Sequence, residues 1–124
     1  MQKESVWDYP RPPVVERSER RVRIVVAGKT IVDTTDTYRV LETSHPPVYY
    51  VPRSAIDPGI LHPNRRRTFC EYKGVADYVD LVVGEQTIEA AAWFYSNPTP
   101  GYEEITNHLA FYPSKMEECW VDED

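Results

Sequence analysis

The sequence has few of the residues that mark metal sites and membrane spans. Its two cysteines, Cys70 and Cys119, form no Cys-x-x-Cys pair, so no structural zinc site is indicated. The longest apolar run, Ala90 to Tyr95, is far shorter than the ~18 residues that a membrane-spanning helix needs. We therefore expect no metal, no cofactor and no membrane partner.

Signatures of common enzyme families and of secretion are also missing. The chain has no glycine-rich phosphate loop, no His-Glu-x-x-His pair and no Gly-x-Ser-x-Gly turn. Residues 1–8 contain no apolar signal region, so we expect a cytoplasmic protein with reduced thiols. Whether Cys70 and Cys119 pair cannot be read from their spacing.

The balance of charges argues against nucleic-acid binding. There are 14 basic and 20 acidic side chains, which gives a net charge of −6. Phosphate backbones are bound by clustered cations, so we expect no nucleic-acid partner. The one basic run, Arg65-Arg66-Arg67, could hold a single phosphate, but a lone charge run is more often a solvated loop, and we interpret it so.

What the chain does contain predicts an all-β fold. Its 124 residues suit one domain, and 11 Pro with 9 Tyr and 3 Trp disfavour long helices and favour short strands. We expect a compact domain over residues 1–124, built from antiparallel hairpins, with residues 1–13 as an extended proline-rich arm packed against it. One short helix is predicted over Tyr102–Leu109 from the i, i+4 spacing of Ile105 and Leu109.

Alternating apolar residues and turn glycines predict two hairpins. Residues 21–27 and 30–34 flank Gly28, and residues 78–83 and 86–93 flank Gly84. Residues 52–64 hold three prolines and a glycine and are predicted to be a loop, followed by a short strand over 68–72.

The first motif with chemical potential is Glu42-Thr43-Ser44-His45, just before Pro46-Pro47. On an extended chain Ser44 and His45 point to opposite sides, so a nucleophile and base pair between them is not expected. The polar side chains could equally satisfy backbone donors around a proline turn. The motif is therefore interpreted either as part of a polar ligand site or as a set of hydrogen-bond partners for the backbone of the turn.

The second motif is Cys70-Glu71-Tyr72-Lys73-Gly74. Lys73 beside a glycine could donate hydrogen bonds to an anionic group, and Cys70 near a histidine could be an activated thiolate. A buried cysteine that acts as a small hydrophobic residue is the commoner case. The interleaved aromatic residues could line a ligand pocket or simply form the core of a small β domain.

Five ordered motifs that span most of the chain resemble those of the domain of unknown function 427 family: Val6 to Pro13, Glu42 to Tyr50, Cys70 to Gly74, Ala91 to Tyr95 and Ala110 to Pro113. The resemblance implies an all-β domain of the β-tent or Mss4-like kind, found mainly in bacteria and fungi. The family is also labelled nucleotidyltransferase-like. This sequence lacks the Gly-Ser turn and paired carboxylates that the common nucleotidyl-transfer route needs, and it lacks the cysteine pairs that hold zinc in Mss4-like proteins.

The resemblance also suggests where a pocket would lie. We expect its lining to include Trp7, Glu42, Ser44, His45, Tyr49, Cys70, Tyr72, Lys73 and Trp93. The function we expect first is binding of a small polar or anionic ligand there. One alternative is an enzyme with Glu42 or His45 as general base and Cys70 or Ser44 as nucleophile. Another is a protein-interaction module, including a homodimer, that uses the arm or an exposed sheet edge.

Overall fold

The described part of the chain folds into ten β-strands that are joined by turns. The structure, a computed structural model, describes residues 9, 12–43 and 45–122. The strands are β1 (Val14–Ser18), β2 (Val22–Val26), β3 (Lys29–Thr34), β4 (Thr37–Leu41), β5 (Val48–Tyr50), β6 (Leu61–Cys70), β7 (Gly74–Val83), β8 (Gln86–Phe94), β9 (Ala110–Phe111) and β10 (Glu118–Val121). The only helical segments in the described part are 3-10 turns of three residues. The predicted all-β fold class is confirmed.

The strands form three antiparallel sheets. Strands β1, β4 and β5 make one three-stranded sheet, in that order, and β10, β2 and β3 make a second. Strands β6 to β9 form a four-stranded sheet in sequence order. The two predicted hairpins are present as β2–β3 and β7–β8, and Gly28 and Gly84 adopt positive φ angles in their turns.

The inner strands of the four-stranded sheet contribute side chains to two separate core clusters, whereas edge strand β6 has no buried residue. Val79 and Leu81 of β7 belong to a first core cluster, which includes Ile24 and Val32 of the β10–β2–β3 sheet. Ala76 and Tyr78 of the same strand belong to a second core cluster. Successive side chains of a strand point to opposite faces, so the two clusters lie on opposite sides of the sheet.

A β-bulge interrupts the regular pairing of β7 with β8 at the centre of this sheet. The register between β7 and β8 shifts between Val79 and Leu81, and Ala90 on the opposite strand has a φ of 47°. One oxygen of Asp80 accepts hydrogen bonds from the backbone of Ala90 and the side chain of Asn64, both at 2.8 Å. These two bonds to one carboxylate hold the bulge in place, and they lower the pKa of Asp80.

The helix predicted over Tyr102–Leu109 is wrong. The segment holds a single 3-10 turn, Glu103–Ile105, and Asn107 has a φ of 58°, which no α-helix tolerates. Ile105 and Leu109 are both fully buried, as their apolar character demands, but in different core clusters. Leu109 is held instead by a backbone bridge to Val51. Tertiary packing therefore overrides the weak helical spacing of so short a segment.

Strand β6 also differs from its prediction. It begins at Leu61 and ends at Cys70, so it includes the end of the predicted loop and stops before Tyr72. Pro63 is compatible with the strand because β6 lies at the edge of its sheet, where a missing N–H costs no ladder hydrogen bond.

The arm predicted over residues 1–13 lies mostly outside the described residues. Of its described part, Pro13 is buried, and its carbonyl accepts a 2.8 Å hydrogen bond from the hydroxyl of Tyr102. This bond joins the end of the arm to the second core cluster, to which Tyr102 belongs.

Candidate functional site

A cavity of about 280 Å³ opens between the second core cluster and the segment that joins β4 to β5. We call it the tyrosine cavity. It is lined by Val40, Glu42, His45, Pro46, Val48, Tyr50, Thr68, Lys73, Ala76, Tyr78, Trp93, Tyr95 and Tyr112. It therefore collects side chains from β4 to β8 and from the segment after β9.

The walls carry two groups of hydrogen-bonded hydroxyls. The indole N–H of Trp93 donates to the Tyr50 hydroxyl at 3.3 Å. On the other wall the Tyr112 hydroxyl donates to that of Tyr78 at 3.4 Å, and the Thr68 hydroxyl lies 3.0 Å from the same Tyr78 oxygen. The rings of Tyr50 and Trp93 meet edge to face, with their centroids 6.4 Å apart. These contacts fix the positions of the hydroxyls before any ligand binds.

The tyrosines are neutral donors at physiological pH. Burial raises the pKa of Tyr50 and that of Tyr95 far above the usual value near 10. Burial, with the hydrogen bond to Tyr78 as a second cause, raises the pKa of Tyr112 to about 12. Each phenol therefore keeps its proton and can offer an O–H group to an acceptor.

Lys73 is the buried cation of the cavity. It is 7% exposed, and its ammonium lies 3.9 Å from a carboxylate oxygen of Glu42. That distance is too long for a hydrogen bond, and no other described side chain forms an ion pair with Lys73. An ammonium has three protons to donate, so this one has donor capacity left for a ligand.

The turn between β6 and β7 explains why Lys73 is buried. The backbone carbonyl of Lys73 accepts a 3.0 Å hydrogen bond from the backbone N–H of Thr99. Gly74 follows with a φ of 103°, a backbone conformation that residues with a side chain rarely adopt. A residue without a side chain is thus needed for the chain to turn under the Thr99 segment and direct Lys73 inward.

Glu42 and His45 lie on the rim. The Glu42 side chain is 30% exposed, so its carboxylate keeps contact with water. The backbone N–H of His45 donates to the Glu42 carbonyl at 3.1 Å, and its ring Nδ1 lies 3.0 Å from the Thr43 carbonyl. Because a carbonyl only accepts, Nδ1 carries the proton and Nε2 of the neutral ring is an acceptor.

The structure brings four of the nine expected pocket residues to this cavity: Glu42, His45, Lys73 and Trp93. Trp7 and Ser44 lie outside the described residues. The remaining three do not line the cavity. Tyr49 lines an adjoining apolar groove, which shares His45 and Trp93 with the cavity, and Tyr72 lines a shallow cleft with Pro12 and Pro13. Cys70 packs against the second core cluster without lining the cavity.

Strand alternation explains this division. Neighbours on a strand face opposite sides, so Tyr50 enters the cavity and Tyr49 faces away. The sequence does not point to Tyr50 or Thr68. Tyr78, Tyr95 and Tyr112 are among the interleaved aromatic residues for which the sequence leaves pocket and core both open. The available signal was the i, i+2 spacing of Trp93 and Tyr95, which predicts that both point to one side of β8.

The described residues contain neither a metal-binding cluster nor a helix that could span a membrane. No three His, Cys, Asp or Glu side chains lie close enough there to share a metal ion. The described helical turns include none with the length and apolarity of a bilayer span. Cys70 and Cys119 are both free thiols, and they pack against different core clusters.

Comparison with known proteins identifies the family. No curated protein sequence matches the chain significantly. The model of one protein family, described as a domain of unknown function (DUF427), matches residues 14–122. This range contains all ten strands and every residue that lines the tyrosine cavity. The chain therefore belongs to the domain of unknown function 427 family.

Proposed function

We propose that the protein binds a small organic anion in the tyrosine cavity. The observation that carries the proposal is Lys73, a residue that is only 7% exposed and whose ammonium has one long ion pair and no hydrogen-bond partner in the described part of the chain. Burying a charge is costly unless it is paired and hydrogen-bonded. An anionic ligand would supply the missing partner, and the phenol of Tyr50, which accepts from Trp93 and keeps its own proton, would donate to a remaining oxygen.

The shape and lining support a small ligand with a flat apolar part. The volume of about 280 Å³ lies near the lower end of the ~300–1,000 Å³ typical of small-molecule pockets. Aromatic rings on several sides favour a ring or planar group, because offset and edge-to-face packing are both available. Glu42, at the rim, would disfavour anions too large to keep clear of its carboxylate.

A thermal-shift panel tests this proposal. The probes are acetate, benzoate, inorganic phosphate and phenyl phosphate, with benzyl alcohol as the uncharged control. A ligand at 100 times its Kd adds ~2.7 kcal/mol of stability. In Lys73→Met protein the Kd should rise about 10- to 100-fold, because a hydrogen bond to a charged group contributes ~1.5–3 kcal/mol. Lys29→Met, which removes an exposed cation of β3, should leave the Kd unchanged.

An enzymatic role for the same cavity is the second candidate. Glu42 and His45 both line the cavity, so either could accept a proton from a bound ligand. Cys70 does not line it, which disfavours Cys70 as the nucleophile, and Ser44 lies outside the described residues. If a bound probe is converted, Glu42→Gln should abolish turnover while the Kd changes little.

The proposal also covers the arrangement of the sheets, the cellular compartment and the oligomeric state. We propose that the three sheets form a β-tent arrangement and that the protein works in a reducing cytoplasm. The two free thiols, Cys70 and Cys119, support the second point, because neither is bridged. A homodimer stays a prediction, and light scattering on the purified protein would check it.

A further inference from the structure

A second cavity, distinct from the tyrosine cavity, lies beside edge strand β6. Its volume is about 490 Å³. We call it the arginine cavity and define it by Arg53, Arg65 and Arg67 with the apolar side chains of Leu61, Val79 and Phe94. Those three apolar residues belong to or pack against the first core cluster. Asp77 and Tyr78 of β7 also line the arginine cavity, and Tyr78 lines the tyrosine cavity as well.

A bulge places the arginines. The register of β6 with β7 shifts between Asn64 and Arg67, so Arg65 and Arg66 have no cross-strand partner. The side-chain oxygen of Asn64 accepts a 2.8 Å hydrogen bond from the backbone of Arg66 and fixes the bulge. Alternation then sends Arg65 and Arg67 into the arginine cavity, while the Arg66 guanidinium lies over the Tyr78 ring at 5.0 Å.

The arginine cavity has more guanidinium groups than carboxylates that pair with them. Arg67 pairs with Asp77 at 2.7 Å. Arg53 donates to the Asn107 carbonyl at 3.0 Å, and its guanidinium lies 4.4 Å above the Phe94 ring. In the described part of the chain, no carboxylate forms an ion pair with Arg53 or Arg65. A protein of net charge −6 thus keeps a local positive cluster over an apolar surface.

We propose that the arginine cavity binds the phosphate group of a small organic phosphate. Guanidinium groups offer paired N–H donors that match phosphate oxygens, and several of them together suit a doubly charged group better than a single carboxylate. The Leu61, Val79 and Phe94 surface would receive the organic part. The alternative is that Arg65, Arg66 and Arg67 only keep edge strand β6 from pairing with another chain, since charged residues protect exposed edges.

Site-resolved NMR distinguishes these explanations. Backbone amide shifts are followed during titration with phenyl phosphate, with inorganic phosphate, benzoate and phenol as comparison probes. Phenyl phosphate should bind most tightly and should shift the Leu61 and Val79 amides. Arg65→Gln should weaken it about tenfold, as expected for the loss of one charge-assisted hydrogen bond. Arg20→Gln, which removes an equal charge in the β1–β2 turn outside the cavity, should leave the Kd unchanged.

Several outcomes would overturn the proposal. Equal weakening by Arg20→Gln and Arg65→Gln would mean that only net charge matters. Tighter binding of benzoate than of phenyl phosphate at the same amides would replace the phosphate by a carboxylate. Absence of shifts at Leu61 and Val79 with every probe, together with oligomers in Arg65→Gln protein that the wild type does not form, would leave edge protection as the role of the arginines. Shifts confined to Lys73 and Tyr50 would assign the binding to the tyrosine cavity alone.

Discussion

Replacing Lys73 by methionine tests whether the charge of Lys73 serves ligand binding or the stability of the fold. At 3.9 Å from Glu42, a pair of unit charges gains about 4 kcal/mol at an effective dielectric of ~20. The desolvation penalty for a buried ion is several kcal/mol, so the two terms nearly cancel. Methionine keeps most of the apolar stem and removes the charge. Glu42 keeps its hydration because its side chain is 30% exposed. We therefore expect Lys73→Met to be between neutral and about 2 kcal/mol more stable than wild type.

Lys115 supplies the matched control. Its ammonium donates to the backbone carbonyls of Glu89 at 3.1 Å and Ala90 at 3.2 Å, so it has the hydrogen bonds that Lys73 lacks. Lys115→Met should destabilise the protein by about 0.5–1.5 kcal/mol, because it removes two hydrogen bonds whose donor is exposed to competing water. The same substitution at two lysines is thus expected to change stability in opposite directions.

Urea unfolding followed by tryptophan fluorescence measures both variants. With an m-value of ~1–3 kcal/mol per molar urea, a change of 2 kcal/mol moves the midpoint by roughly 1 M. The reasoning fails if Lys73→Met loses more than about 2 kcal/mol at an unchanged m-value. That result would make Lys73 part of the folding core and remove the reason to infer a ligand.

Three further predictions concern the core, the bulge and the tyrosines. Leu81→Ala, at a side chain with no exposed surface, should cost about 2–5 kcal/mol in the urea experiment, and a loss under 1 kcal/mol would contradict the burial. Asp80 has a lowered pKa in the folded state, so its contribution is present above its unfolded pKa near 3.9 and is lost as pH falls through the lower folded value. Asp80→Asn should therefore be less stable than wild type at pH 6 by more than at pH 3, and an equal gap at both pH values would refute this. Absorbance at 295 nm during alkaline titration should show Tyr50 and Tyr95 still protonated at pH 11, whereas ionisation of all nine tyrosines near pH 10 would contradict their burial.

Local patterns were enough to predict the fold class. The two hairpins follow from alternating apolar residues on each side of Gly28 and Gly84, and both glycines have the positive φ that their turns require. The helix predicted over Tyr102–Leu109 is absent, because an i, i+4 spacing of two apolar residues does not require both of them to pack into the same core. Ile105 and Leu109 are buried in separate clusters, a nonlocal fact that no local window contains.

The candidate site was only partly predictable for the same reason. The identity of Lys73 and its neighbour Gly74 indicated a donor at a sharp turn, but its burial depends on Thr99, which is remote in sequence. Tyr50 and Tyr49 are adjacent and chemically identical, so only the strand register decides which one enters the cavity. Arg65, Arg66 and Arg67 are exposed, as predicted, but the loop predicted for them is wrong, because all three lie on β6 at a bulge in its pairing with β7.

The side-chain NMR signal of Lys73 reports directly on whether an anion binds in the tyrosine cavity. The chain has four lysines, at positions 3, 29, 73 and 115, so selective labelling resolves every ammonium group. The labelled protein is titrated with the carboxylates and phosphates of the thermal-shift panel. We expect one of them to shift the Lys73 Nζ signal saturably and to leave that of Lys29 unchanged. A Lys73 signal that stays fixed while a probe stabilises the protein would contradict binding in the tyrosine cavity.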